Sequence, residues 1–391
     1  MKKILIIFGT RPEAIKLAPL IIQLKYLPNI DLMTCHTGQH RELVEDALET
    51  FNIEPDLDLD LMQDNQQPLE FLSECITTLN LLFDEYTPNV VIVQGDTTST
   101  LAGALTAYHR KVPVAHVEAG LRTQDLYEPF PEEGNRKLVD HISTLQFAPT
   151  QESFDNLKEE GLDPVLTGNT IVDAINIVRD KILEKEPVLT KYQILVTVHR
   201  RENFGEPLNR VMQAVMQLTD ICPHMEFLWP VHPNPNVRKK VDKTLSGIGQ
   251  IKLVEPMNYE DMIRSMMASR IIMTDSGGLQ EEAPSLRRPV LILREKTERP
   301  EVVGKNALLV GTYPKNIINA VCRLLDNPAF YHKTASHPNP FGDGWASKRI
   351  INELIRLLYP ADLRFAPSQN PPSPRPAGGS PASGQSPAAS G

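Results

Sequence analysis

The stretch IIFGTRPEAIK (residues 6–16) runs a β-branched apolar strand straight into Gly9, Thr10 and a proline-led helix start. Strand, glycine, helix is the unit from which doubly wound parallel sheets are built, and such sheets bind ligands at the carboxyl ends of their strands. A dinucleotide-binding version would place three spaced glycines here. This turn has one glycine and two cations, Arg11 and Lys16. Amides at a helix N-terminus attract anions, and a guanidinium adds a two-pronged donor for phosphate oxygens. The turn reads as a phosphate holder, with a surface arginine and a helix lysine as the plain alternative.

The same alternation continues along the chain. Apolar runs ILIIFG, LMTCHTG, VVIVQGD, PVAHVEAG and LQFAPT in the first half read as strands, as do ILVTVHR, EFLWPVH, IKLVEP, RIIMTDSGG, PVLILRE and ALLVGT in the second. Segments such as PLEFLSECITTLNLLFDEY and PLNRVMQAVMQLTDI carry apolar residues at i, i+3 and i+4 and read as helices. Nearly continuous apolar strands are covered on both faces, as in parallel sheets. Over 391 residues this predicts two doubly wound α/β domains. We place the first at 1–170 and the second at 171–345, with the join near TGNTIVDAINIVRDKILEKEP and a last helix, ASKRIINELIRLLY, within 346–361. Residues 362–391, dominated by Pro, Ser, Gly and Ala, read as a passive disordered tail, with a PxxP-type docking site as the alternative.

A net charge of −9 argues against a nucleic-acid partner held through its phosphates, so an anionic ligand needs a local basic pocket. The cysteines, Cys35, Cys75, Cys222 and Cys322, are far apart and form no CxxC pair, which predicts reduced thiols rather than a disulfide framework or a zinc knuckle. MKKILIIFGTRPE imitates a secretion signal, but Arg-Pro-Glu follows at once with no small-residue cleavage site, so a first strand is expected. No run approaches the roughly eighteen apolar residues of a membrane span, and a cytoplasmic location without a membrane partner is expected.

Four further places carry candidate chemistry. In MTDSGGLQEEAPSL (273–286) a strand enters Asp-Ser-Gly-Gly and then a helix with Gln280, Glu281 and Glu282. Paired glycines let backbone amides approach a diphosphate, Ser276 adds a hydroxyl, and a carboxylate one turn on suits ribose hydroxyls. A glycine turn with a surface glutamate pair is the structural alternative. Asp96, Glu118 and Glu132 sit at strand ends or in adjoining loops. Three carboxylates converging on one cleft would repel, raise some of their pKa values and serve general acid–base catalysis. His199 ends ILVTVHRREN beside Arg200 and Arg201, placed to meet a phosphate or a departing oxygen. HTGQH (36–40) has i, i+4 spacing but neither the helix nor the glutamate of a zinc site, so no metal is expected.

At these residues the chain resembles the non-hydrolysing UDP-N-acetylglucosamine 2-epimerases. GTRPEAIK, QGDTTST, HVEAGLRT, PEEGNR, TGNTIVDA, HRREN, TDSGGLQEEAPS and TERPE fall in the family's order within about residues 1–360. The resemblance implies two facing Rossmann-like domains of the glycosyltransferase-B type, an active site in the cleft between them, a final helix packed back on the first domain, and a homodimer. It implies a nucleotide-sugar substrate and no redox cofactor: UDP leaves C1 as a proton leaves C2, and re-addition inverts C2. Asp96, Glu118 and Glu132 are then the proton-transfer carboxylates. His199 and Arg11, joined by Lys16, would steady the diphosphate. Ser276, Gly277, Gly278 and Glu282 would hold phosphate and ribose, with Arg299 of TERPE beside them. Met257 and Met262 of EPMNYEDM would line the uracil. Some relatives carry a second, allosteric substrate site; Gln39, Arg200 and His232 match it, while Glu42 and Asn65 replace an expected glutamine and arginine. Losing that arginine removes a forked phosphate donor, which argues against substrate activation. The rival readings are a hydrolysing 2-epimerase, a 2-epimerase for a diacetamido-uronic acid sugar nucleotide, a glycosyltransferase of the same fold, and a nucleotide-sugar binding module without catalysis.

Overall fold

The computed structural model describes residues 1–39, 42–63 and 66–360. The expected tail from 362 onward, His40 of HTGQH and Asn65 lie outside the described residues, as does the side chain of Glu42.

All eleven apolar runs are strands. The first sheet contains β1 (Lys2–Phe8), β2 (Ile30–His36), β3 (Leu57–Asp58), β4 (Val90–Gln94), β5 (Val114–Val117), β6 (Leu145–Ala148) and β7 (Val165–Leu166), in the order β3-β2-β1-β4-β5-β6-β7. The second contains β8 (Tyr192–Thr197), β9 (Phe227–Pro230), β10 (Ile251–Val254), β11 (Ser269–Thr274), β12 (Val290–Ile292) and β13 (Ala307–Leu309), in the order β10-β9-β8-β11-β12-β13. Pairing within both sheets is parallel. These are two Rossmann-like sheets, the architecture of the glycosyltransferase-B type. The two-residue strands β3 and β7 escaped the sequence reading because two residues show no periodicity.

Each sheet reverses its winding once, beside β1 in the first and beside β8 in the second. The crevice at such a reversal is where doubly wound sheets take ligands. Gly9 and Thr10 leave β1 there, Gly95 and Asp96 leave β4, Val198 and His199 leave β8, and Asp275 and Ser276 leave β11.

The helix Thr170–Lys185 joins the two halves. It packs on the helices Arg11–Lys25, Tyr259–Met267 and Ala346–Leu358, and one buried apolar cluster runs from Phe8 and Leu17 through Ile175 and Val178 to Ile272 and Ile292. The opposite face of each sheet has its own core, with Leu79, Phe83 and Val93 under the first and Val215, Trp229 and Val321 under the second. The helix Ala346–Leu358 buries Ile350, Leu354 and Leu358 beside Arg11–Lys25. Its N-cap residue Trp345 contributes no side-chain cap. Asp173 of the joining helix takes over, accepting the amides of Ala346 and Ser347 at 3.2 and 2.9 Å, where a carboxylate also complements the helix dipole.

Candidate active site

The turn after β1 is filled from within. Glu13 folds back so that Oε2 accepts the amides of Gly9 and Thr10 at 3.1 and 2.7 Å, and Oε1 accepts the hydroxyls of Thr97 and Thr100, both at 2.8 Å. Burial pushes this carboxyl up, while its donors pull the other way. The amides assigned to a phosphate thus already hold an anion, the chain's own. Gly9 is required by crowding: a Cβ there would lie 2.1 Å from Ser99 Oγ and 2.4 Å from Thr37 Oγ1.

Lys16 is likewise already paired. Its Nζ donates to Glu118 Oε1 and Oε2 at 2.7 and 2.6 Å and stands 3.4 Å from Glu281 Oε2. Arg299 closes the series on the far carboxylate of Glu281. Glu118 comes from the first sheet and Glu281 from the second, so four alternating charges run across the boundary. Glu118 has φ +66°, a left-handed conformation that is rare for glutamate and accumulates at functional sites. Gln94 Nε2 and Asn169 Nδ2 also donate to its Oε2, at 3.1 and 3.2 Å. A strained glutamate held by an ammonium and two amides has its oxygens fixed in one place.

Asp96 has a separate cation. Arg136 Nη2 reaches its Oδ2 at 2.6 Å, and the same guanidinium donates to Glu133 at 3.0 Å. Glu132 opens the helix Glu132–Ile142 with a buried Oε2 that has no hydrogen-bond partner. The expected mutual repulsion of Asp96, Glu118 and Glu132 is therefore corrected: Lys16 and Arg136 separately neutralise two of them. The like-charge pair lies instead at Glu281 and Glu282. Glu282 is buried, and burial together with the Glu281 charge raises its pKa to about 7, against hydrogen bonding from Tyr259 and the charges of Arg11 and Lys16. Both glutamates of this pair lie inside, so the surface-pair alternative is excluded.

A cavity of about 570 Å³, a size suited to a small-molecule ligand, is lined by Lys16, Glu281 and Glu282; Asp96, Glu118 and Glu132 are not among its lining residues. Arg11 and Lys16 line it from the first sheet; His199, Ser276, Gly277, Gly278, Glu282 and Arg299 line it from the second, with Met257 and Met262 beside them. A Cβ on Gly277 or Gly278 would approach only Arg200 Nη2 at 3.6 Å and Ser276 Oγ at 3.8 Å, so the backbone there faces open space. Asp275, which the sequence reading passed over, is fully buried and accepts the amides of His199 and Arg200 and the side chain of Asn203, at 2.9–3.1 Å. It aligns the HRREN turn on the cavity. A larger cavity, about 1130 Å³, adjoins the first through a wall of Arg200, Glu298 and Arg299, and Arg136 lines its far side.

The family profile described as UDP-N-acetylglucosamine 2-epimerase matches residues 23–355. The chain belongs to that family. It is 43% identical over 368 residues to the UDP-N-acetylglucosamine 2-epimerase of Yersinia pestis, covering 90% of this chain and 98% of that one. It is 44% identical over 362 residues to that of Bacillus subtilis strain 168, covering 90% and 95%. The crystal structure of UDP-GlcNAc 2-epimerase from Neisseria meningitidis, bound to UDP-GlcNAc, superposes with a TM-score of 0.82 at 42% identity, over 91% of this chain and 100% of that one.

Among the positions matched to the family's second site, Arg200 borders both cavities and His232 lines the smaller. Burial and the neighbouring His199 hold the His232 imidazole below its ordinary pKa. Gln39 is engaged elsewhere: its Oε1 accepts the amide and hydroxyl of Ser99 at 3.2 and 2.7 Å. Among the described residues no helix is long and apolar enough to cross a membrane.

Proposed function

We propose that the protein interconverts UDP-N-acetylglucosamine and UDP-N-acetylmannosamine without hydrolysis. The C1–oxygen bond to UDP breaks as the C2 proton leaves, giving 2-acetamidoglucal and UDP. UDP then re-adds at C1 while C2 is protonated on the opposite face. Asp96, Glu118 and Glu132 carry the proton transfers. Ser276 and the Gly277–Gly278 backbone take the diphosphate with Arg11 and His199, Glu282 takes the ribose hydroxyls, and Met257 and Met262 flank the uracil. Lys16, tied to two carboxylates, orients Glu118 more than it binds phosphate. The enzyme is read as a cytoplasmic homodimer divided at 170/171, its last helix serving the first domain.

The observation that carries this reading is Glu118. A glutamate in a left-handed conformation is locked by Lys16, Gln94 and Asn169, and Lys16 itself lines the cavity that contains Ser276 and Glu282. A module that only bound nucleotide sugars would have no use for a strained, pre-oriented carboxylate beside the sugar end of its cleft.

The test is turnover of UDP-N-acetylglucosamine in heavy water. The expected result is a mixture of two epimers of the intact sugar nucleotide, both carrying deuterium at C2. Free N-acetylmannosamine would identify the hydrolysing reaction instead, and epimers without C2 deuterium would overturn the elimination route.

A further inference from the structure

Behind the carboxylates lies a buried polar group that the reaction scheme does not use. His116 of β5 and Asp140 of the helix Glu132–Ile142 are both fully buried. His116 Nδ1 is 2.6 Å from Asp140 Oδ1, and Nε2 is 2.7 Å from the carbonyl oxygen of Gly95. A carbonyl oxygen only accepts, so Nε2 carries a proton. The second oxygen of Asp140 accepts the Gly120 amide at 3.2 Å and meets the Arg122 guanidinium at 2.8 Å. Burial works to raise the Asp140 carboxyl, but His116 and Arg122 outweigh it and hold it below the usual carboxylate range. Both ring nitrogens of His116 are thus tied to oxygens, one on the helix and one on the turn after β4, and the ring has a single orientation.

The partners of this pair decide its significance. Gly95 precedes Asp96, Gly120 follows Glu118 by two residues, and Asp140 shares its helix with Glu132. Both glycines have positive φ, +76° and +90°, so these are tight turns whose direction depends on what grips them. The same helix grips Asp96 a second time, through Asn135 Nδ2 on its carbonyl at 2.9 Å and Arg136 on its side chain. Arg122 is anchored in turn by Glu160 at 2.7 Å.

We propose that the His116–Asp140 pair is the positioning element of the reaction, a buried hydrogen-bonded contact that sets the three acid-bearing segments against one another. The inference rests on the proton-transfer reading of Asp96, Glu118 and Glu132. A buried polar pair whose hydrogen bonds are all made holds its neighbours in one geometry. Catalysis is sensitive to that geometry, since displacement by about 1 Å can cost a hundredfold in rate.

One variant, read in three ways, tests it. In His116→Gln, kcat for C2 deuterium exchange should fall by about a hundredfold and its pH profile should move, while the dissociation constant for UDP, whose assigned contacts (Arg11 and the second-sheet residues) do not touch the His116–Asp140 pair, stays within about twofold. Wild-type kcat and pH profile in this variant sink the proposal. So does a parallel loss of UDP affinity, which would mark general disruption rather than misplacement. If instead Asp96→Asn, Glu118→Gln and Glu132→Gln all turn over normally, the proton-transfer reading itself fails, a result distinguishable from wild-type behaviour of His116→Gln alone.

Discussion

Lys16 and Glu281 stand 3.4 Å apart, their side chains 10% and 1% exposed, on helices that follow the first strand of one sheet and the fourth strand of the other. With Glu118 on one side and Arg299 on the other, each buried charge has an opposite neighbour. Removing one member of such a set leaves an uncompensated cation. Glu281→Gln should therefore lower the unfolding free energy by about 3 kcal/mol in urea denaturation. A change under about 0.5 kcal/mol, the level of an ordinary surface substitution, would contradict a buried interlock.

Glu282 links nucleotide binding to pH. Burial and the Glu281 charge raise its carboxyl from an ordinary 4.5 in the unfolded chain to about 7 in the fold. Between those values the folded chain holds a proton the unfolded chain has lost, so Glu282's contribution to stability declines as pH rises from 4.5 toward 7. A carboxylate accepts from two ribose hydroxyls through both oxygens and more strongly than its acid form, which keeps only the carbonyl oxygen as a good acceptor, so UDP binding at pH 6–7 should expel the proton. Calorimetry of UDP binding in buffers of different ionisation enthalpy should show proton release in the wild type and none in Glu282→Gln. Identical apparent enthalpies in every buffer would remove this role from Glu282.

The acid–base set predicts large kinetic effects with an intact fold. Asp96→Asn, Glu118→Gln and Glu132→Gln should each cut the rate of C2 exchange by about 10²- to 10⁴-fold. Circular dichroism should be unchanged. Glu118→Gln should also free Lys16, so its thermal midpoint should drop more than that of Glu132→Gln, whose Oε2 has no partner to lose.

Docking of the last helix is a packing matter. Leu354 is fully buried on the face shared with Arg11–Lys25 and Thr170–Lys185. Leu354→Ala should destabilise the protein by about 2–5 kcal/mol in denaturant titrations, whereas the same change at the half-exposed Leu183 should cost well under that.

The strands were legible because apolar runs of three to seven residues survive any tertiary context, and the turns because glycine and proline mark them. Charge partners were not legible. Glu13 drew no reading from the sequence, since any helix start can carry a first-turn acid, and only folding reveals that it takes the place an incoming phosphate was expected to occupy. Glu281 and Glu282 are adjacent and chemically identical in sequence. Lys16 and Arg299 make one an ionised bridge, while the other, without an ion-pair partner, is raised to about 7 and is half-protonated near neutral pH. His116, read in the motif HVEAG only for its neighbour Glu118, gains meaning from Asp140, twenty-four residues on.

The polypeptide passes between the two sheets twice, and the passages are bonded side by side. The Asn169 amide donates to the Phe341 carbonyl at 2.7 Å, and a Cβ on Gly342 would lie 3.3 Å from the Gly168 Cα. A double cable resists twisting far better than a single tether does. Two strands of chain bonded at Gly168–Asn169 and Phe341–Gly342 thus hold the two walls of the crevice in one register.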